Sequence, residues 1–168
     1  MTRPTRRSLK VSWEDPHAAA RAGARLSGLD YLQGMIDGRF PRPPMAALLG
    51  FNLVAASQGY AAFECQPGEQ HYNPIGVVHG GLACTLLDSA MGCAVNSTLA
   101  AGAGYTTLEL KVNLVRALTT ETGLMRCEGR IVHRGSRTAT AEGRLLDAAG
   151  KLYAHATTTC IIFPVPAD

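Results

Sequence analysis

The sequence predicts an α+β domain in which an antiparallel sheet of five to six strands curves around one long central helix. Three observations carry this. The run GGLACTLLDSAMGCAVNST at 80–98 is small or apolar nearly all round a helical projection, which is the pattern of a helix wrapped by other structure. Residues 107–114 alternate: Thr107, Glu109, Lys111 and Asn113 interleave with Leu108, Leu110, Val112 and Leu114, as on a half-buried strand. Three more strand-like runs follow, near 122–134, 137–147 and 151–163, with links so short that neighbours must run antiparallel.

The elements read in order as follows. Residues 17–38 look helical, with Leu26, Leu29, Leu32 and Ile36 spaced along one side, and the segment Pro41-Arg42-Pro43-Pro44 ends the pattern. Residues 45–49 suit a short helical turn before Gly50. Two short strands are expected at 51–57 and 59–66, turned at Gln58-Gly59, and then a loop rich in Gly, Pro, Asn and His to Val78. The central helix follows, and Ala101-Gly102-Ala103-Gly104 leads into the later strands. This organisation divides the chain into an N-terminal arm and helical extension, 1–45, and the main domain, 46–168.

Composition narrows the function classes. The 168 residues suffice for one domain with a real core. They are 46% hydrophobic but only 17% charged, below the roughly 25% of ordinary soluble domains, so part of the surface is expected to be covered in a homo-oligomer. The net charge of +3 owes much to Arg3, Arg6, Arg7 and Lys10, a basic arm facing no acidic partner and expected to be solvated and poorly ordered. No aromatics interleave with these charges, so nucleic acid is not an expected partner. Nothing reads as a membrane span or a signal peptide. Cys65, Cys84, Cys93, Cys127 and Cys160 are odd in number and scattered through apolar runs, as small buried hydrophobes of a reducing cytoplasm would be. No cysteine or histidine pair has metal-ligand spacing, and no cofactor is implied.

Two features carry chemistry. Gly80-Gly81 opens the central helix, whose N-terminus presents free N–H groups backed by the helix dipole. Such a site can stabilise the oxyanion formed when an acyl carbonyl is attacked, or the pair can serve only for tight packing. Asp88 is the only acid or base on that helix; a carboxylate in an apolar pocket can act as general base or nucleophile, or it can serve structurally, capping or pairing with a buried group. Eight residues of helix separate Gly80 from Asp88, about 12 Å along the axis. Attack needs base, water and carbonyl within about 3 Å of one another in turn. One chain cannot bring both groups to one carbonyl, whereas two chains with antiparallel central helices can. If both groups are catalytic, the site lies at a dimer interface.

The stretch N-P-I-G-V-V-H-G-G, the helix with Asp88, and the later segments Y-T-T-L-E-L-K-V-N-L-V-R, H-R-G-S-R-T-A and A-A-G-K-L-Y-A-H-A-T resemble the PaaI-like (phenylacetate-degradation) acyl-CoA thioesterases of the hotdog fold. The resemblance covers roughly residues 48–163. It implies hydrolysis of an aromatic or medium-chain acyl-CoA by a dimer or a dimer of dimers. Asp88 would activate water or attack the thioester, and the Gly80 amide would polarise the carbonyl with Gly81 beside it. Asn73 would help hold the water or the carboxylate, and His79 would position the thioester or the start of the helix. Thr107 would align the nucleophilic water across the interface. Arg134, Gly135, Ser136, Arg137 and Thr138 resemble the loop that meets the nucleotide end of coenzyme A, and two guanidinium groups flanking a Gly-Ser turn suit phosphates. The family's usual Arg-Pro is Arg116-Ala117 here, which bears on a strand end. His133 and His155 read as structural or surface residues, while His71 either lines the site or faces water. A non-catalytic acyl-CoA-binding protein and an enoyl-thioester hydratase using His79 with Asp88 are the competing readings.

Overall fold

The computed structural model describes residues 5–165, so Arg3 of the basic arm lies outside the described residues. Within the arm, Arg7 corrects the expectation of no acidic partner: its Nε lies 2.6 Å from Glu69 Oε1. The single helix expected over 17–38 is two, α1 (Pro16–Ala24) and α2 (Gly28–Ile36). Ser27 makes the break. Its hydroxyl accepts from the Asp30 N–H and so caps a new helix. Gly28 then packs so closely on the end of the central helix that a Cβ would collide with the Asn96 carbonyl. The expected turn over 45–49 is α3 (Pro44–Leu49), closed by Gly50 in the left-handed region at φ 68°.

Six strands form one antiparallel sheet in the order β1-β2-β4-β5-β6-β3. They are β1 (Phe51–Ser57), β2 (Tyr60–Cys65), β3 (Ala103–Leu114), β4 (Met125–Arg134), β5 (Thr138–Asp147) and β6 (Leu152–Pro164). The sheet curves around α4 (Gly80–Asn96), the expected central helix. Although β3 and β4 are consecutive, they do not pair. Residues 115–124 carry the chain across the sheet, and β3 becomes an edge strand beside β6.

The expected alternation along β3 holds on either side of a bulge, not through it. The register with β6 slips between Thr107 and Glu109, and Leu108, expected inward, is 59% exposed. A bulge adds one residue to one strand and so exchanges the faces beyond it. Tyr105 and Thr107 point inward before it, and Leu110 and Val112 after it. Without that extra residue Thr107 and Leu110 could not both face the helix.

The central helix is wrapped on only half its circumference, which corrects the expectation of burial on all faces. Leu82, Ala83, Leu86, Leu87, Ala90, Met91, Ala94 and Val95 are buried against the sheet. Gly81, Cys84, Thr85, Asp88, Ser89, Cys93 and Asn96 form the opposite stripe and are only partly covered. Small side chains let helix and sheet come close on the covered side: a Cβ at Gly129 of β4 would collide with the Ala90 carbonyl. Cys65, Cys127 and Cys160 are buried, Cys84 and Cys93 partly so, and all five are free thiols.

Candidate active site

Asp88 sits midway along α4, on its uncovered stripe. The Thr107 hydroxyl donates to its Oδ1 at 2.8 Å. Thr107 was expected to act across a subunit interface, yet it reaches the carboxylate of its own chain. Both residues line one cavity of about 280 Å³, with Phe51, Leu53, Phe63 and Tyr105 among its apolar walls. Two other titrating groups in its wall, Cys93 and Tyr105, stay uncharged near neutrality. Burial pushes the Cys93 thiol up to about 12, with the Asp88 carboxylate adding to the shift. Burial likewise raises the Tyr105 phenol well above its ordinary range, and Cys93, Cys160 and Asp88 reinforce it. Among the described residues no cation is ion-paired to Asp88. The carboxylate is thus fixed by a hydroxyl donor at the wall of a mostly apolar pocket, leaving lone pairs for a water.

At the other end, His79 is the N-cap of α4, and its Nδ1 accepts from the Gly81 N–H at 2.8 Å. An Nδ1 that accepts fixes the neutral ring as the Nε2–H tautomer. The imidazole therefore consumes the Gly81 donor, which was expected beside Gly80 at the carbonyl. Among the described residues nothing accepts from the Gly80 N–H, and Gly80 lines a second cavity of about 300 Å³ together with Asn73, Arg116 and Tyr153. Asn73 Oδ1 accepts from the N–H groups of Ile75 (3.1 Å) and Val77 (3.2 Å). That oxygen shapes its own loop, so only the amide nitrogen of Asn73 is left to hold a water. His71 is 7% exposed and belongs to the wall of the loop, not to water. Its Nδ1 accepts from the Gly68 N–H at 3.0 Å, and its backbone oxygen accepts from His79.

The structure does not bring Gly80 and Asp88 together within one chain. They line different cavities, and a Cβ at Gly80 would meet Leu114 at the far end of β3 from Thr107. The Arg134–Thr138 segment is the β4–β5 hairpin, closed by the Gly135 N–H to Thr138 carbonyl bond at 2.9 Å. Thr138 is opposite Ile161, and Ile161 is opposite Thr106. The hairpin therefore lies at the Thr107 end of the sheet, away from Gly80 of its own chain. Arg134, Ser136, Arg137 and Thr138 are exposed, and neither arginine is ion-paired among the described residues. His133 and His155 are exposed strand residues. The Arg116 guanidinium donates to the Leu152 carbonyl and ties the end of β3 to β6.

Sequence reading missed the roof of the Asp88 cavity. Met35 of α2, and Arg42, Pro43, Met45 and Ala46 at and within α3, line it; the extension is thus part of the pocket. Arg42 Nη1 donates to Asn52 Oδ1 at 2.9 Å and holds the roof to β1. The helical spacing of Leu29, Leu32 and Ile36 signalled a buried face on α2, but nothing local says what that face covers.

Comparison with known proteins agrees with this fold. The sequence model of the thioesterase superfamily matches residues 75–154. The phenylacetic acid degradation-related protein of Ralstonia eutropha JMP134 is 32% identical and superposes with a TM-score of 0.70, covering 78% of this chain and 98% of its own. A conserved protein of Pseudomonas aeruginosa is 30% identical with a TM-score of 0.68, over 73% of this chain and 95% of its own. A Streptococcus mutans protein solved with bound acetyl CoA is 25% identical, with a TM-score of 0.62 over 68% and 90% of the two chains.

Proposed function

This chain belongs to the thioesterase superfamily, in its PaaI-like hotdog family, and from that premise we propose that it hydrolyses an acyl-CoA thioester to the free acid and coenzyme A. The observation that carries the reading is Asp88, the only carboxylate on α4, held by the Thr107 hydroxyl at 2.8 Å in an apolar cavity. The acyl group lies in that cavity. Asp88 takes the proton of a water that attacks the thioester carbonyl, or attacks it directly to form a mixed anhydride that a water then hydrolyses to the free acid and the Asp88 carboxylate. The Gly80 N–H of a partner chain donates to the developing oxyanion, and coenzyme A departs as a thiolate that takes up a proton to become the free thiol.

A homodimer with antiparallel α4 helices completes this site. Each chain supplies the free Gly80 amide at one end of its helix and the carboxylate half a helix away. The partly uncovered stripe of small and polar residues on α4, and the unpaired outer edge of β3, support such a partner. The Arg134–Arg137 hairpin offers two guanidinium groups to the phosphates of coenzyme A. A Streptococcus mutans relative that carries acetyl CoA supports that ligand class. Hydration of an enoyl thioester by a His79–Asp88 pair is disfavoured, since His79 Nδ1 is committed to the Gly81 N–H.

The test is thiol release from aromatic and aliphatic acyl-CoAs by wild type and Asp88→Asn side by side. Asp88→Asn is expected to lose about 10²–10⁴-fold in kcat, the usual worth of a positioned base, with an unchanged oligomer and circular dichroism. Wild-type rates in the folded Asn variant would remove Asp88 from the mechanism. Binding without release by wild type would favour a non-catalytic acyl-CoA-binding protein.

A further inference from the structure

Tyr105 lines two cavities at once. One is the Asp88 cavity of about 280 Å³. The other, of about 380 Å³, lies beyond it under the N-terminal helices, where Ala20, Leu26 and Tyr31 face Phe163 and Val165. The ring of Tyr105 is placed by Gly92 of α4: a Cβ there would lie 2.8 Å from the phenol oxygen and 3.0 Å from Cε2. The absence of a side chain at Gly92 is therefore what lets the phenol end of the ring sit against the helix, between the two spaces. Tyr105 stands two residues before Thr107 on the same inward face of β3, so it meets the acyl group close to the reacting centre.

We propose that Tyr105 is the floor of the acyl pocket and sets the longest acyl group the enzyme accepts, with the cleft under α1 and α2 as the space an acyl chain enters once the ring is gone. This rests on the thioesterase reading of the Asp88 site. The physical basis is volume and apolarity. The first cavity alone is at the small end of ligand pockets, roughly 300–1,000 Å³, whereas the two joined fall well within that range. Both are walled mainly by apolar side chains, so a chain passing through stays out of water. Each methylene newly buried is worth about 0.8 kcal/mol, or about fourfold in kcat/KM.

The experiment measures kcat/KM for a series of straight-chain acyl-CoAs with wild type, Tyr105→Ala, Tyr105→Leu, Tyr105→Phe and Gly92→Ala. Binding of the same series to Asp88→Asn, with and without Tyr105→Ala, is followed by calorimetry. Wild type is expected to fall off beyond a limiting length. Tyr105→Ala and Tyr105→Leu should move that limit to longer chains, raising the long-to-short preference at least about tenfold. Tyr105→Phe keeps the bulk and should keep the limit. Gly92→Ala should push the ring into the first cavity and shorten the limit. An unchanged length ranking in folded Tyr105→Leu overturns the assignment, and so does a shift in Tyr105→Phe equal to that in Tyr105→Ala. If no acyl-CoA is hydrolysed by wild type while binding still shows the Tyr105-dependent limit, the hydrolytic reading falls and the floor stands. If binding shows no such limit, the floor falls whatever the rates.

Discussion

The two ends of the working surface on α4 are built from different materials. At the N-terminus the chemistry is backbone: a free Gly80 N–H, a Gly81 N–H closed by an imidazole, and a loop tied by Asn73. Midway along, the chemistry is side chain: a carboxylate held by the Thr107 hydroxyl, among uncharged thiols and a phenol. The first half can stabilise negative charge on a substrate and has no base. The second has a base and no amide donor aimed at an oxyanion. About 12 Å of helix keeps them apart. Under the proposed function, the two halves meet only when a second copy of the chain supplies one of them.

The sharpest way to break that comparison is to disable each half in a separate chain. Proline at position 80 removes the N–H while suiting the first turn of a helix, and His79, at φ −62° and ψ 132°, already has the extended conformation that precedes proline. Gly80→Pro is expected to lose about 10²–10³-fold in kcat, as for other oxyanion donors. Its Cβ would meet the exposed Leu114 side chain, which must turn aside, and Gly80→Ala, which makes the same contact but keeps the N–H, is the control. Mixed and re-annealed with Asp88→Asn, Gly80→Pro should recover about a quarter of wild-type activity, because half of random dimers are mixed and each has one intact site. No recovery from chains shown to exchange would rule out the shared site.

A smaller effect is expected at the hydroxyl. Thr107→Val keeps the shape of the strand residue and deletes the donor to Asp88, worth about 1.5–3 kcal/mol for a bond to a charged group. A loss of about tenfold or more in kcat, with KM little changed, is the expected outcome. A change confined to KM would make Thr107 a pocket wall and no more.

The smallest concerns stability at the N-terminal end. Burial lowers the His71 pKa, and the Leu49 carbonyl, which faces Nε2 without completing a hydrogen bond, offsets part of this. Between that lowered value and the ordinary one near 6.5, the unfolded chain binds more protons than the folded one. The contribution is complete above the unfolded value and is lost as pH falls through the folded one. Urea midpoints should therefore decline below about pH 6.5, and the decline should be shallower in His71→Gln. Equal slopes would assign the acid sensitivity to other groups.

Much of this was legible in the residues. Strand and helix positions from 44 onward follow local periodicity, because burial against a sheet or helix repeats every two or about 3.6 residues. Gly80 and Asp88 could be picked out for the same reason: a Gly pair at a helix start and one acid on an apolar helix are departures from a local pattern, whereas His79 stood out only through the family resemblance. Less could be read where a short polar residue changes a long pattern. Ser27 divides what the apolar spacing joins, since its capping bond to Asp30 outweighs continuity of the helix.

The sequence by itself determined the α+β class, the central helix, the strand inventory and the chemical character of each end of that helix. All of these depend on residues near one another in the chain. The tertiary structure alone decided that β3 leaves β4 for the edge beside β6, that a bulge at Leu108 turns Thr107 toward Asp88, and that α2 and α3 roof the Asp88 cavity. It also decided that Tyr105 rests in the space left by Gly92. These are contacts between segments far apart in sequence, selected by how whole elements pack, and no local pattern encodes which partner an inward-facing side chain will meet.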